Sequence, residues 1–189
     1  MQRAFIVHGW RGHPLDGWFP WLRAELEREG FSVQVPLMRS PYLPTRETWV
    51  PALRAHIGTP TDETYLVGYS LGCITVLRYL ESLGVQHRVG GVVLIAGFTD
   101  DLGYAELLES YFPYPLAWEH VRARSLNGFI AISSDNDQYV PLTHADVFRQ
   151  QLHATLIVLH GMRHFEESTG IREFPEARDA VLRLAGFSR

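Results

Sequence analysis

The sequence predicts a three-layer α/β/α sandwich built on a mainly parallel six-stranded sheet. Three observations carry this expectation. Short apolar runs bounded by turn residues alternate along the chain with amphipathic helical stretches. No repeat, low-complexity tract or charge block interrupts the alternation. One run, Gly91–Ala96, is apolar on both faces, as a central parallel strand covered by helices has to be.

The elements follow in order. Ala4–Val7 is the first strand. Asp16 or Gly17 then opens a helix that carries Trp18, Leu22 and Leu26 on one face and closes at Gly30, with Pro20 compatible only with its first turn. Phe31–Val35 is the second strand, and Thr45 caps a helix running to about His56. Thr64–Gly68 is the third strand, followed by a helix from about Leu71 to Leu83 that Gly84 closes. After Gly91–Ala96, residues 97–127 break the rhythm. Phe129–Ile132 makes a fifth strand, a helix spans about Leu142–Leu152, and Thr155–Leu159 makes a sixth strand. Pro175 opens a last helix that ends at Gly186.

The bulk numbers set limits. A chain of 189 residues supports one domain with a proper core and is short for two, so residues 1–189 are read as a single domain. Hydrophobic content of 46% and charged content of 20% are ordinary for a globular protein. A net charge of −4 argues against a non-specific nucleic-acid or anionic-membrane surface. The lone cysteine, Cys73, cannot form an internal disulfide and reads as a small buried helix residue. The four-residue run Ala4–Val7 is shorter than a signal-peptide core, and no run approaches a membrane span, so the expected location is the cytoplasm.

The most informative stretch is Gly68-Tyr69-Ser70-Leu71-Gly72. A G-x-S-x-G between a buried strand and a helix is a nucleophile elbow. The turn forces the serine into a strained backbone conformation and lifts its hydroxyl above the sheet edge, while the glycines leave room for close packing. In parallel sheets, reacting groups gather at the C-terminal strand ends. His8-Gly9-Trp10 follows the first strand, Ser70 the third, Ser133–Pro141 the fifth and His160–Phe165 the sixth. A serine, an acid and a histidine thus stand at three strand ends in the order of the α/β-hydrolase arrangement.

Roles follow from the chemistry of each group. A serine hydroxyl needs a base to take its proton during attack, and histidine, with an ordinary pKa near 6.5, suits that task. An acid holds the imidazole in the useful tautomer and stabilises the imidazolium. The expected set is Ser70 as nucleophile, His164 as general base and Asp137 as orienter. Asp137 is preferred to Asp135 because it stands in Asp-Gln-Tyr-Val-Pro, just before the next helix; His164 is preferred to His160 because Gly161 gives it a flexible approach. The oxyanion donors are expected to be the backbone N–H groups of Leu71, at the positive end of the elbow helix, and of Trp10. His8 is read as a buttress of that loop.

These residues resemble a known family. His8-Gly9, Trp18-Phe19-Pro20-Trp21-Leu22, Tyr65-Leu66-Val67, Ser70-Leu71-Gly72-Cys73, Leu77–Glu81, Asp137-Gln138, Val140-Pro141 and His164-Phe165 look like the small serine hydrolases of the YdeN and retinoblastoma-binding-protein-nine type. The similarity runs over nearly the whole chain, and the tryptophan-rich first helix is its most specific part. It implies a compact α/β-hydrolase lacking the first two strands of larger members, with catalytic positions on Ser70, Asp137 and His164. A retinoblastoma-type partner is not expected, because Leu71-Gly72-Cys73-Ile74-Thr75 lacks the final glutamate of an L-x-C-x-E segment.

The expected substrate is a small acyl compound. Residues 97–127 hold Phe98, Tyr104, Tyr111, Phe112, Tyr114 and Trp118, stiffened by Pro113 and Pro115. They read either as a small lid or pocket wall or as aromatics packed back on the core. Phe98, Phe112 and Trp118 are the candidate pocket residues there, with Tyr69, Trp10 and His13 opposite. No metal-ligand spacing appears among the nine histidines, and no G-x-G-x-x-G follows the first strand, so no metal or nucleotide cofactor is expected. The competing readings are a protein-interaction module on a hydrolase shell and a nucleotide-binding α/β protein, the latter lacking its glycine loop.

Overall fold

The structure is a computed structural model and describes residues 1–187. Six parallel strands form one sheet in the order β2-β1-β3-β4-β5-β6. They are β1 (Arg3–Val7), β2 (Ser32–Gln34), β3 (Thr64–Tyr69), β4 (Gly91–Ile95), β5 (Phe129–Ser134) and β6 (Thr155–Leu159). Each strand run expected from the sequence is present. The sheet is wholly rather than mainly parallel.

The sheet is covered on both faces because side chains alternate along each strand. Ala4, Ile6, Tyr65, Val67, Val93, Ile95, Ile130 and Ile132 face one layer. Phe5, Val7, Leu66, Val92, Leu94, Phe129 and Ala131 face the other. The first layer is α1 (Phe19–Arg28) and α7 (Pro175–Leu184). The second contains α2 (Arg46–Ile57), α3 (Leu71–Glu81) and α6 (Thr143–Leu152). Helix α1 buries Phe19, Leu22 and Leu26, and Pro20 lies in its first turn, where a missing N–H costs nothing. Helix α3 is buried nearly all round and mostly apolar, with Thr75, Arg78 and Glu81 as its polar residues.

The break at 97–127 contains α4 (Ala105–Leu108), one 3-10 turn (Glu109–Tyr111) and α5 (Trp118–Arg122). Its second half is fastened to α3. The buried Arg78 donates from Nε to the Tyr111 carbonyl at 2.8 Å and from Nη2 to the Tyr114 carbonyl at 2.6 Å. It also pairs with Glu81 at 2.7 Å, and Glu81 Oε1 accepts the Ala117 N–H at 2.8 Å. Tyr111 is fully buried, and Phe112 and Trp118 pack against the core beside it. Tyr111, Phe112 and Trp118 therefore belong to the core, while Tyr114 stays exposed.

The chain reverses its direction of travel across the sheet between β1 and β3. It goes out to β2, then returns past β1 to β3. The crevice above this switch point, at the carboxyl ends of β1 and β3, is where parallel α/β sheets place ligands. Among the described residues, no helix is long and apolar enough to cross a membrane.

Candidate active site

Ser70 links β3 to α3 with φ 52° and ψ −118°. A positive φ is disfavoured for any residue with a Cβ; it costs about 1–3 kcal/mol and persists only where the surroundings impose it. The surroundings do so here through two close approaches. A Cβ on Gly72 would lie 2.1 Å from the Val7 carbonyl oxygen, and one on Gly68 would lie 2.7 Å from Cys73 Cα. The elbow helix thus packs against β1 and its own strand at distances only glycine permits. Cys73 is fully buried and its thiol donates to the Gly68 and Ile95 carbonyls at 3.1 and 3.3 Å. Burial pushes that thiol's pKa up, so it is no competing nucleophile.

The loop after β6 brings His164 to the serine. Its Nε2 lies 3.0 Å from Ser70 Oγ, and its Nδ1 lies 2.7 Å from Asp137 Oδ2. Asp137 Oδ1 accepts the backbone N–H groups of Tyr139 and Val140 at 2.9 and 3.0 Å, fixing the carboxylate's orientation. The Asp137 side chain is 3% exposed and that of His164 10% exposed, so the pair works out of bulk water. The competing residues pair with each other instead. Asp135 Oδ2 meets His160 Nδ1 at 2.6 Å on the exposed side of the same two loops. That bond holds the Asp135 carboxyl below its usual pKa range.

Sequence reasoning missed what holds the histidine loop in place. Three consecutive backbone N–H groups are accepted by three consecutive side chains at the end of β5. Gly161 N–H goes to Asp135 Oδ1 at 2.9 Å, Met162 N–H to Ser134 Oγ at 3.0 Å, and Arg163 N–H to Asn136 Oδ1 at 2.7 Å. The clamp holds a strained turn in which Arg163 and Phe165 have φ of 50° and 56°. On the far side, Tyr69 donates its hydroxyl to the His164 carbonyl at 2.8 Å, and the Trp18 indole donates to the Phe165 carbonyl at 3.1 Å. Burial pushes the Tyr69 pKa up, so it remains a donor at every working pH. The polar run Ser134-Asp135-Asn136 was visible in the sequence, but its acceptors' targets lie 26–28 residues away.

The loop after β1 forms the other side of the crevice. His8 is fully buried, and its Nε2 accepts the Met38 N–H at 3.1 Å. Its Nδ1 therefore carries the proton and donates to the Gly9 carbonyl at 2.8 Å. Burial lowers the His8 pKa, in keeping with this neutral tautomer. The Gly9 carbonyl also accepts the Gly12 N–H at 3.1 Å, closing a tight turn over Trp10 and Arg11. The N–H groups of Trp10 and Leu71 have no acceptor among the described residues, and both residues line the crevice beside Ser70.

A cavity of about 590 Å³ opens over Ser70. Trp10, Tyr69 and Phe98 line it; His13, Phe112 and Trp118 do not. His13 is used in a turn, giving its N–H to Asp16 Oδ2 at 2.6 Å and accepting the Leu15 N–H at Nδ1. Phe112 and Trp118 are drawn to the core by the Arg78 fastening. The wall after β4 is made instead by Leu102, Tyr104, Leu107 and Leu108, ahead of that fastening, and Tyr139 stands edge-on to the His164 ring at 5.1 Å.

A parallel sheet with a serine elbow after β3 and a crevice at its switch point is an α/β-hydrolase fold. The chain belongs to the serine hydrolase family, whose model matches residues 4–183. It is 31% identical over 184 residues to YdeN of Bacillus subtilis (strain 168), covering 95% of this chain and 94% of that one. It is 28% identical over 170 residues to serine hydrolase RBBP9 of Rattus norvegicus, covering 88% of each. The crystal structure of the B. subtilis ydeN gene product superposes with a TM-score of 0.93 at 29% identity, covering 99% of this chain and all of that one. Est1E from Butyrivibrio proteoclasticus shares the fold, with a TM-score of 0.74 at 14% identity, covering 98% and 90% of the two chains.

Proposed function

We propose that this serine hydrolase cleaves an ester, thioester or amide of a small acyl compound through an acyl-enzyme on Ser70. The reading rests on one observation: the hydrogen-bonded line Ser70 Oγ–His164 Nε2–His164 Nδ1–Asp137 Oδ2, at 3.0 and 2.7 Å, at the floor of the cavity. In the neutral imidazole, Nδ1–H donates to Asp137, which leaves Nε2 free to accept the Ser70 proton. As Ser70 Oγ bonds to the acyl carbon, its proton passes to Nε2 and the carbonyl electrons move onto oxygen. The Leu71 and Trp10 N–H groups stabilise that oxyanion. Collapse expels the leaving group, which takes the proton from Nε2. Water then repeats the sequence, releasing the acid and restoring Ser70.

The buried Cys73, which needs no oxidising compartment, supports a cytoplasmic location. The test is turnover of an activated aryl ester by Ser70→Ala. A loss of about 10⁴-fold or more, with an unchanged melting curve, supports the reading, since removal of a triad nucleophile costs that much or more. A rate within tenfold of the wild type overturns it.

A further inference from the structure

One exposed arginine lines the cavity, and nothing in the proposed reaction uses its guanidinium. Arg11 is the only lysine or arginine among its lining residues. Its backbone is held at φ 58°, a conformation an arginine does not adopt unforced. The Arg11 N–H donates to the Pro41 carbonyl at 2.8 Å, tying it to the neighbouring loop. The guanidinium carbon lies over the Trp10 ring at 4.6 Å from its centroid and 5.9 Å from that of Tyr42. Trp10 is itself fixed, its indole donating to the Tyr42 carbonyl at 3.1 Å.

Stacking occupies the face of a guanidinium and leaves its edge donors free. Those of Arg11 have no acceptor among the described residues, and Arg11 forms no ion pair there. The carboxylates on the same cavity are already engaged. Asp16 accepts the His13 N–H at 2.6 Å, Glu166 accepts from Gln138 at 2.9 Å, and Glu167 pairs with Arg172 at 2.6 Å. Arg11 is therefore a planar cation with free parallel donors on the cavity wall, one residue from the proposed oxyanion donor Trp10, and no carboxylate lining the cavity pairs with it. A carboxylate matches that fork with two parallel N–H···O bonds.

We propose that Arg11 is a substrate-binding residue that recognises a carboxylate on the substrate, so that the preferred substrates are acyl compounds carrying a second, anionic end. This rests on the Ser70 reading for its consequence in turnover, but not for binding. The apolar wall of Phe98, Leu102, Leu107 and Leu108 stands after β4, on the other side of Ser70 from Arg11. The carboxylate sits either at the far end of the acyl chain or on the leaving group, and both sources present the same chemistry to Arg11.

The test compares matched esters in the wild type, Arg11→Gln and Arg11→Lys. Mono-4-nitrophenyl adipate against 4-nitrophenyl hexanoate probes the acyl end. 4-Acetoxybenzoate against its methyl ester probes the leaving group. Each rate is divided by that of spontaneous hydrolysis. In the wild type, one carboxylated ester should exceed its neutral partner about tenfold or more in kcat/KM, and in Arg11→Gln that ratio should fall close to one. Arg11→Lys should keep part of it, since charge survives without the planar fork. The pair that responds shows which end carries the anion. Equal rates within both pairs in the wild type, or a preference that survives Arg11→Gln, overturns the proposal.

Calorimetric titration of adipate and 4-hydroxybenzoate separates this proposal from the hydrolase reading. Binding to the wild type that Arg11→Gln loses, with no turnover of any ester, keeps the Arg11 site and removes the Ser70 mechanism. Turnover of the neutral esters with no carboxylate preference does the reverse.

Discussion

Replacing Asp137 by asparagine reverses one hydrogen bond and should switch off the proposed base, His164, without disturbing the loop. Asp137 Oδ1 accepts two backbone N–H groups, from Tyr139 at 2.9 Å and Val140 at 3.0 Å. In Asp137→Asn, the amide oxygen takes that side, because an NH₂ there would face two donors. The NH₂ then faces His164 Nδ1 across the position now spanned at 2.7 Å and donates to it. An Nδ1 that accepts is unprotonated, so the neutral ring carries its proton on Nε2. It then presents a donor to Ser70 instead of an acceptor. A wrong-tautomer histidine lowers kcat by about 10⁴-fold in the serine-protease triad, equivalent to about 5 kcal/mol of barrier. The assay is steady-state hydrolysis of an activated aryl ester at pH 7.5, beside Asp135→Asn as the control. Asp135 pairs with His160 on the exposed side, and asparagine keeps the Oδ1 that accepts the Gly161 N–H in the loop clamp, so Asp135→Asn should change kcat by no more than about threefold. The reasoning fails if Asp137→Asn keeps more than a tenth of the wild-type kcat, or if Asp135→Asn loses as much as Asp137→Asn.

Two further outcomes are expected. Gly72→Ala places a Cβ 2.1 Å from the Val7 carbonyl oxygen and 2.9 Å from that of His8, both backbone atoms that cannot swing aside. An overpacking cost of about 1–3 kcal/mol should lower the melting temperature by about 3–10 °C in a chain of this size, read by calorimetry; an unchanged melt contradicts the account of the elbow. The pH dependence of stability should carry a His8 component. Its folded pKa lies below the ordinary 6.5, so the unfolded chain binds the proton more readily. The stability it contributes is present in full above about pH 6.5 and is lost as pH falls through that value toward the folded pKa. His144, also lowered by burial, adds to the slope. His8→Asn should flatten denaturant-derived stability below pH 6.5 by up to about 1.4 kcal/mol per pH unit, and an unchanged slope would exclude a neutral buried His8.

The parts of this fold written in local pattern were legible in the sequence. Strand runs such as Gly91–Ala96 and the elbow at Gly68–Gly72 depend on alternation and on turn residues within a few positions. Ser70, His164 and Asp137 could be placed near one another because a parallel sheet sends each strand end to the same edge. The pocket wall was not legible in this way. Residues 97–127 are aromatic throughout, and composition does not say which rings turn inward. That is decided by Arg78 and Glu81 on α3, which capture the backbone at Tyr111, Tyr114 and Ala117. The same capture leaves the leucines ahead of it to face the cavity. The Ser134-Asp135-Asn136 clamp was hidden for a related reason, since a side chain's backbone partner in another loop leaves no mark on the intervening sequence. Element ends also moved: α3 stops at Glu81, short of Leu83, and β2 shrinks to three residues at the sheet edge.

The central claim is that Ser70 is a nucleophile activated by His164. It is tested most directly by treating the folded protein with a fluorophosphonate and locating the adduct by peptide mass spectrometry. The account predicts one adduct per chain, on Ser70, lost in His164→Ala. A folded protein that stays unlabelled, or one labelled on Ser70 equally well without His164, would contradict it.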